Sequence, residues 1–370
     1  LTGTTPASSL RIISHSLRRS AIIGDISGDG PLHTLQLTGA TLDGDINIAG
    51  QVKVIIMGIG LAGSISVGGS SPMILDASFM QDENFASTAP IQHVRLSQWV
   101  NSDDVPETFS APYVKSLASF GSFTPGLQLN GTGARGLTLD HVFVLGVVSG
   151  TWNIAGAVAP LRIGGSTSDW SATFGNLSKL TVTGNLQGSL TTATLPRLDV
   201  RKSMIDTILR LTASGTTDLA RLSVGGVIAA ALISAAGNIG QITAQSVSHS
   251  YFYAGLAPLT PGVTLPIDAS GFESNASIAS VILHPRGKIP GFASTAVAAN
   301  SIGKLSFGTI QTSNGGSPFG IATTSLGSLT ARDISQIQTF SFTDVHDAAT
   351  LAAQIAARKL NLGDFVIRLI

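Results

Sequence analysis

The stretch LHTLQLTG at residues 32–39 carries the pattern that decides the fold, with apolar residues at Leu32, Leu35 and Leu37 followed by glycine. Apolar residues two apart point to one face of a strand, whereas a helix would space them three or four apart. The phrase therefore predicts a short strand with one buried face. The same phrase, apolar–x–x–apolar–x–apolar closed by a small residue, recurs as VKVIIMG (52–58), LSKLTVTG (177–184) and LARLSVGG (219–226).

The phrase repeats along nearly the whole chain. Successive copies start mostly 18 to 25 residues apart. Two wider gaps, after Val52 and after Ile239, each leave room for one degenerate copy near residues 72 and 258, so we expect about 14–16 coils. Further copies begin at Ile91, Leu139, Val158, Leu195, Ile278, Ile302 and Leu326, and looser copies with a polar third position begin at Leu10 and Val114.

A period of this size predicts a stacked solenoid rather than a globular fold. Leucine-rich repeats share the L-x-x-L-x-L phrase, but they need Asn or Cys at a fixed later position and a helical return. Here Gly, Thr or Ser follows the phrase, and the return segments, such as LDGDINIAG at 42–50, are again strand-like. We therefore predict an all-β, right-handed parallel β-solenoid over residues 1–343.

The C-terminal segment, residues 344–370, has a different pattern. VHDAATLAAQIAARKL at 345–360 reads as a helix with Asp347 as its N-cap, and DFVIRLI at 364–370 reads as a final strand. An open solenoid end exposes unpaired backbone groups that template further pairing. We interpret the segment as a cap on the last coil or as a segment that docks a neighbour, and the N-terminal end, which has no such signature, as the site of contact.

Composition restricts the function classes. Of 370 residues, 42 are Gly and only 11% are charged, and the formal net charge is zero, which favours association. No basic stripe indicates nucleic-acid binding. The absence of Cys excludes disulfides and thiolate metal sites, and no apolar run is long enough to predict a membrane span.

Several phrases carry a family resemblance: RLSQWVNSDDVPETFSAPYVKSL (95–117), VVSGTWNIAG (147–156), NIGQITAQSVSHSYFYAG (238–255) and NSIGKLSFGTIQTSNGGSPFGI (300–321). Together they resemble the Gly-rich β-strand-repeat surface proteins of planctomycetes and related bacteria, a functionally uncharacterised group. The resemblance implies a β-solenoid that is secreted or displayed at the bacterial cell surface. It implies no catalytic residue.

Two stretches that interrupt the repeat are candidate ligand-contact loops. The first, 76–113, holds six acids and two aromatic residues, a combination that suits carbohydrate binding, glycoside hydrolysis or calcium. The second, 247–277, contains a close tyrosine pair and reads as a long lateral loop, either free or packed onto the coil face. The residues chosen as possible ligand contacts are Trp99, Asp103, Asp104, Tyr113, Tyr251 and Tyr253.

Other chemistry-bearing residues favour ordinary structural roles. The seven histidines are scattered, and His33, His93 and His141 fall between inward positions, so they should point outward. Acids such as Asp25 and Asp45 read as coil-corner residues rather than calcium ligands. We expect no catalytic, cofactor-binding or metal-binding residue and no cofactor.

Three functions remain open. The first is a non-catalytic extracellular structural protein, a surface or filament component that associates with itself. The second is an adhesin or carbohydrate-binding rod that contacts a surface polysaccharide. The third, a polysaccharide lyase or hydrolase, ranks last because no acidic or basic cluster recurs at equal phase on successive coils.

Overall fold

A computed structural model gives the fold of residues 1–15, 21–133, 135–214, 217–256, 265–287, 289–334 and 338–370. The chain is nearly all parallel β-structure, forming about 15 turns of a β-solenoid, and the described residues include one short α-helix near the C-terminus. The predicted fold class is therefore confirmed. The chain divides into two compact units, Leu1–Ser178 and Lys179–Ile370.

The first unit is built from sixteen strands that pair mostly in parallel with the strand one coil further on. They are β1 (Ser9–Ile13), β2 (Ala21–Ile23), β3 (Ile26–Gly28), β4 (Leu32–Leu42), β5 (Ile46–Leu61), β6 (Ser64–Gly68), β7 (Met73–Gln81), β8 (Asn84–Ser87), β9 (Ile91–Val100), β10 (Thr108–Ala111), β11 (Val114–Ser119), β12 (Gly126–Leu129), β13 (Leu137–Val148), β14 (Thr151–Val158), β15 (Leu161–Ser166) and β16 (Ser171–Leu177).

The second unit has the same architecture, and the helix α1 (Ala348–Arg358) precedes its last strand. Its strands are β17 (Leu180–Val182), β18 (Leu186–Thr192), β19 (Arg197–Val200), β20 (Met204–Leu211), β21 (Thr217–Val224), β22 (Val227–Ala229), β23 (Leu232–Ala235), β24 (Asn238–Ala244), β25 (Ser246–Ser248), β26 (Tyr251–Ala254), β27 (Ser277–Leu283), β28 (Phe292–Ala293), β29 (Ala296–Ala299), β30 (Ser301–Ile310), β31 (Phe319–Thr323), β32 (Ser325–Asp333), β33 (Thr339–Val345) and β34 (Phe365–Leu369).

The repeated phrase sets the register between coils. Leu32 pairs with Val52 at the first apolar position of two successive copies, and Val114 pairs with Leu139 in the same way. Apart from the copy at Leu10, where Ile13 is exposed, the apolar positions of the copies are buried, so equivalent side chains stack on one another through the core. Even the polar third position of the looser copy faces inward, because Ser119 is fully buried and its hydroxyl donates to the Gly121 carbonyl.

Two details of the predicted register are wrong. Leu10, taken as the first position of a copy, pairs with Leu35, which is the second apolar position of the next copy. The degenerate copy predicted near residue 258 does not exist, because Ile239 pairs directly with Ile278. By contrast, the copy predicted near residue 72 is present, since Met73 pairs with Ile91.

The prediction of a lateral loop over 76–113 is wrong for most of that stretch. It contains regular coil strands, β7 to β10, and only residues 101–107 form an extended corner outside the strands. Five of the six acids lie between strands, at the turn after β7 or at this corner, whereas Asp76 lies within β7. In 247–277, β25 and β26 are likewise regular strands, and the excursion begins only after Ala254.

The described end of that excursion packs onto the coil. Leu265 is buried against Ala296, Ala298 and Ala322, and Phe272 packs on the same cluster. The predicted lateral segment thus covers alanine-rich strands rather than standing free. Residues 257–264 of the predicted loop lie outside the described residues.

The C-terminal segment closes the last turn. Strand β33 runs antiparallel to β32, against the direction of the other pairings, and β34 pairs with β31. The helix predicted over 345–360 is confirmed as α1, and the Asp347 carboxylate accepts a 2.7 Å hydrogen bond from the Thr350 amide. Lys359 ends the helix with a left-handed backbone, and Leu351 is its buried residue.

Candidate functional site: an acidic corner and a polar groove

Side-chain oxygens at the coil corners of the first unit hold successive coils together. The Asp25 carboxylate accepts a 2.9 Å hydrogen bond from the Asp45 amide, and the Asp45 carboxylate accepts one of 2.9 Å from the Ser64 amide. Asn84 continues this arrangement by accepting a 2.9 Å hydrogen bond from Thr108. The interpretation of Asp25 and Asp45 as corner residues is therefore confirmed.

One corner gathers three carboxylates. Asp82 lies between β7 and β8, whereas Asp103 and Glu107 lie one coil further on, between β9 and β10. One carboxylate oxygen from each residue lies within 4.8 Å of the other two. Among the ion pairs of the described residues none involves these three acids, so their mutual repulsion is not neutralised by Lys or Arg.

The corner loop is held by a network of short local hydrogen bonds. The Asp82 carboxylate accepts hydrogen bonds of 2.6 Å from both the amide and the hydroxyl of Ser102. Asp103 accepts from the Val105 amide at 2.9 Å, and Asn101 accepts from the Asp104 amide at 2.8 Å. These bonds fix Asp82 and Asp103 in one arrangement while leaving further lone pairs on each carboxylate.

The pKa values of Asp82 and Glu107 are shifted in opposite directions. Burial acts to raise the pKa of Asp82, but the hydrogen bonds from Ser102 and Gln81 outweigh it and lower that pKa. Burial raises the pKa of Glu107 against hydrogen bonds from the backbone and from the Asn101 side chain, which act to lower it, and the nearby charges of Asp82 and Asp103 add a smaller increase. Glu107 is only 5% exposed, and its buried Oε1 has no hydrogen-bond partner.

Glu83, next to Asp82 in the chain, points the other way, into the core. It is fully buried, and neither of its carboxylate oxygens has a hydrogen-bond partner. The space it occupies exists because Gly60 lacks a side chain, since a Cβ there would lie 2.9 Å from the Glu83 Oε1. Burial, assisted by the charge of Asp45, raises the pKa of Glu83 to about 8.

A polar groove of about 530 Å³ begins at the same corner and crosses successive coils of the first unit. Glu107 belongs both to the groove wall and to the carboxylate cluster. Hydroxyl, amide and carboxylate groups arranged along such a groove can form hydrogen bonds to a chain of sugar hydroxyls. The lining residues are Asn101, Asp104, Pro106, Glu107, Thr108, Thr124, Gly126, Gln128, Ser149, Gly150, Thr151, Thr167 and Asp169.

The structure separates the residues that we chose as ligand contacts in the first unit. Asp103 joins the carboxylate cluster and Asp104 lines the groove. Trp99 cannot contact a ligand, because it is 0% exposed and its side chain lies in the core, on strand β9, which leads into the corner. Tyr113 lines a different cavity of about 220 Å³, beside Arg135.

Tyr251 and Tyr253 lie in the second unit, with ring centroids 5.8 Å apart. Tyr251 lines a cavity of about 310 Å³ with His249 and Asn314. Tyr253 packs with Tyr251 on the buried alanine cluster, and burial, with a smaller contribution from Tyr251, raises its pKa. The two tyrosines therefore help to pack the segment that follows Ala254 onto the coil, rather than forming an open aromatic surface.

Asp82 and Glu107 are two of the six acids of 76–113, but they are not among the predicted ligand contacts. The available signal was their position at the two ends of coil corners, 20 or more residues apart, where stacking brings them together. The histidines behave as expected, because His33, His93 and His141 are exposed on their strands.

An apolar stripe lies on the lateral surface of the first unit. Phe120 is 51% exposed, Leu145 is 49% exposed and Val147 is 40% exposed. Because Ser119 pairs with Val144, the residues that follow them, Phe120 and Leu145, lie side by side on adjacent coils. Contiguous exposed apolar side chains of this kind are typical of contact surfaces.

No protein-family model, curated protein or solved structure matches this chain. Among the described residues, no helix has the length and apolar character needed to cross a membrane.

Proposed function

We propose that this protein is a non-catalytic structural protein of the bacterial cell exterior that associates with copies of itself through the lateral apolar stripe of Phe120, Leu145 and Val147. The exposure of these three side chains on adjacent coils is the observation that carries the proposal. Burying them against a second copy removes apolar surface from water, which favours association.

The low charge of the chain supports a second copy of the same chain as the partner that covers the stripe. The chain has no formal net charge and few charged residues, so two copies approach without the long-range repulsion that keeps many proteins apart. Arg95 lies over the Phe120 ring and Arg162 over the Phe143 ring. Of the two, only Arg95 contacts a member of the stripe.

The exterior location rests on the phrases at 95–117, 147–156, 238–255 and 300–321, which resemble Gly-rich repeat surface proteins of planctomycetes. A solenoid in which each turn is held by its neighbours also suits a structural role, because stability is distributed over many equivalent interfaces. Nucleic acid is not part of this proposal, since the sequence has no basic stripe.

Sedimentation velocity over a concentration series tests the proposal. The wild-type chain should form larger species as its concentration rises, whereas Phe120→Ser combined with Leu145→Ser should remain monomeric. Ile208→Ser is the matched control, because Ile208 is 40% exposed but lies away from the stripe, in β20. A wild-type chain that stays monomeric at high concentration would overturn the proposal.

The polar groove favours a second candidate function, binding of a surface polysaccharide as an adhesin. Its lining offers hydrogen-bonding groups from several coils in a row, which matches the repeating hydroxyls of a glycan chain. A glycan array should then show binding that Gln128→Ala reduces at least tenfold. Gln241→Ala, in β24 of the second unit, should bind as the wild type does, and a wild type that binds no glycan would remove this candidate.

A further inference from the structure

We propose that the carboxylates of Asp82, Asp103 and Glu107 form a divalent-cation site, with calcium as the preferred ion, that fastens the corner loop 101–107 to the preceding coil. The proposal departs from the expectation that the chain has no metal-binding residue, and it does not depend on self-association.

The geometry is that of a site for a hard cation. Three carboxylate oxygens from two successive coils converge within 4.8 Å of one another, a spacing that places all three within reach of one ion. Calcium binds carboxylate, carbonyl and water oxygens at about 2.3–2.6 Å and accepts six to eight of them. Asp103 is exposed, so water can complete the coordination shell.

Glu107 supplies an observation independent of the acidic cluster. Its side chain is 95% buried, since only 5% is exposed, and its Oε1 is buried without a hydrogen-bond donor. A buried carboxylate oxygen without a donor is costly, and metal coordination is one of the ways in which proteins compensate such an atom. The same carboxyl group supplies one of the three oxygens that lie within 4.8 Å of one another, so the group with the unpartnered oxygen belongs to the cluster.

The surrounding hydrogen bonds preorganise the other two ligands. Both Asp82 oxygens are fixed by Ser102, and Asp103 is fixed by the Val105 amide. A cation would therefore bind without a large rearrangement of the loop. It would also replace carboxylate repulsion between two successive coils with attraction, because Asp82 belongs to one coil and Glu107 to the next.

Calcium chloride titration by isothermal calorimetry tests the site directly on the full chain, after treatment with a chelator. We expect one site per chain with a Kd of about 10⁻⁴–10⁻³ M, the range of modest extracellular sites, and weaker binding of magnesium. Glu107→Gln and Asp103→Asn should each weaken calcium binding at least tenfold. Asp104→Asn is the matched control, because Asp104 lies in the same loop but outside the cluster, and its affinity should equal that of the wild type.

Thermal unfolding separates loss of the site from loss of the fold. In chelator, Glu107→Gln should unfold at the same temperature as the wild type or higher, because it removes a buried charge and its repulsion from Asp82 and Asp103. Millimolar calcium should raise the melting temperature of the wild type and of Asp104→Asn but not that of Glu107→Gln. The proposal is overturned if calcium produces no binding heat with the wild type, or if Glu107→Gln binds calcium as tightly as the wild type.

Discussion

The indole ring of Trp99 packs edge-on against the phenyl ring of Phe123, with the ring centroids 5.8 Å apart and the planes at 74°. Phe123 meets Trp152 in the same geometry at 5.9 Å, and Trp152 meets Trp170 at 6.0 Å. On the other side, Trp99 contacts Phe109 at 6.0 Å. The Trp99–Phe123, Phe123–Trp152 and Trp152–Trp170 contacts each join residues of successive coils, whereas Trp99 and Phe109 belong to one coil. This ladder of aromatic rings therefore ties several turns of the first unit together.

The ladder predicts a large stability loss from a single truncation. Phe123→Ala removes a fully buried ring and both of its edge-to-face contacts, so it should lower the free energy of unfolding by about 3–5 kcal/mol. Phe120→Ala, three residues earlier on the surface, should change it by less than about 1 kcal/mol. All three tryptophans lie in the first unit, so urea titration followed by tryptophan fluorescence reports this unit. Equal losses in the two variants would contradict the ladder.

The buried Glu83 predicts a pH dependence of stability. The pKa of its carboxyl group is about 8 in the folded chain and 4.5 ordinarily, so the group favours folding fully below pH 4.5, and this contribution is lost as the pH rises through 8. Glu83→Gln should remove this decline and raise the free energy of unfolding above pH 8 by on the order of a few kcal/mol. Asp45, the charge that raises this pKa further, remains in the variant.

Chemical denaturation at a series of pH values, in chelator so that cation binding does not contribute, measures this effect. Glu273→Gln is the matched control, because Glu273 is exposed and its substitution should leave the pH dependence of the wild type unchanged. If Glu83→Gln unfolds with the same pH dependence as the wild type, the carboxyl group is not buried as described.

The Asp45 carboxylate predicts a small loss of stability on substitution, whose size depends on whether the new side chain keeps a hydrogen-bond acceptor. Asp45→Ala removes the acceptor for the amide and hydroxyl of Ser64 and should cost about 1–2 kcal/mol of the free energy of unfolding. Asp45→Asn retains an acceptor oxygen and should cost less. Urea unfolding at pH 7 compares the two variants, and a larger loss for Asp45→Asn would contradict the role of the acceptor.

The C-terminal closure predicts a sensitive glycine. Gly320 in β31 has φ +141°, and a Cβ there would lie 2.1 Å from the Val366 carbonyl oxygen of β34. Gly320→Ala should therefore weaken the pairing of β31 with β34 and expose the end of the solenoid to aggregation. Limited proteolysis should release the C-terminal segment from this variant first. Gly315→Ala, which has φ +70° but open space around it, should resist cleavage as the wild type does.

The sequence predicted those parts of the fold that repeat. The phrase beginning at Leu32 determines strand, face and register, because each copy stacks on an equivalent copy. A gap of 39 residues fits either a degenerate copy of the repeat or an insertion between two neighbouring copies, and periodicity alone could not distinguish them. For this reason the direct pairing of Ile239 with Ile278 was not predicted. The resemblance to surface proteins remains a prediction, as do the extracellular location and the partner.

The candidate site was harder to predict because it depends on which residues stacking brings together. Trp99 was placed on the surface with the acids around it, although a fourth inward position, three residues after the phrase, recurs as Ala40, Met80 and Ile310. That recurrence was a readable signal for burial. The position of Asp82 and Glu107 at coil corners was the available signal for their meeting, but it was not sufficient, because their contact also requires the register of two coils.

Electron microscopy of the purified wild-type chain over a concentration series tests the proposed function most directly. Self-association through the lateral stripe predicts ordered assemblies with side-by-side contacts that grow with concentration, and their absence when Phe120 and Leu145 are both replaced by Ser. Uniform single particles of the wild-type chain at every concentration would contradict the structural role.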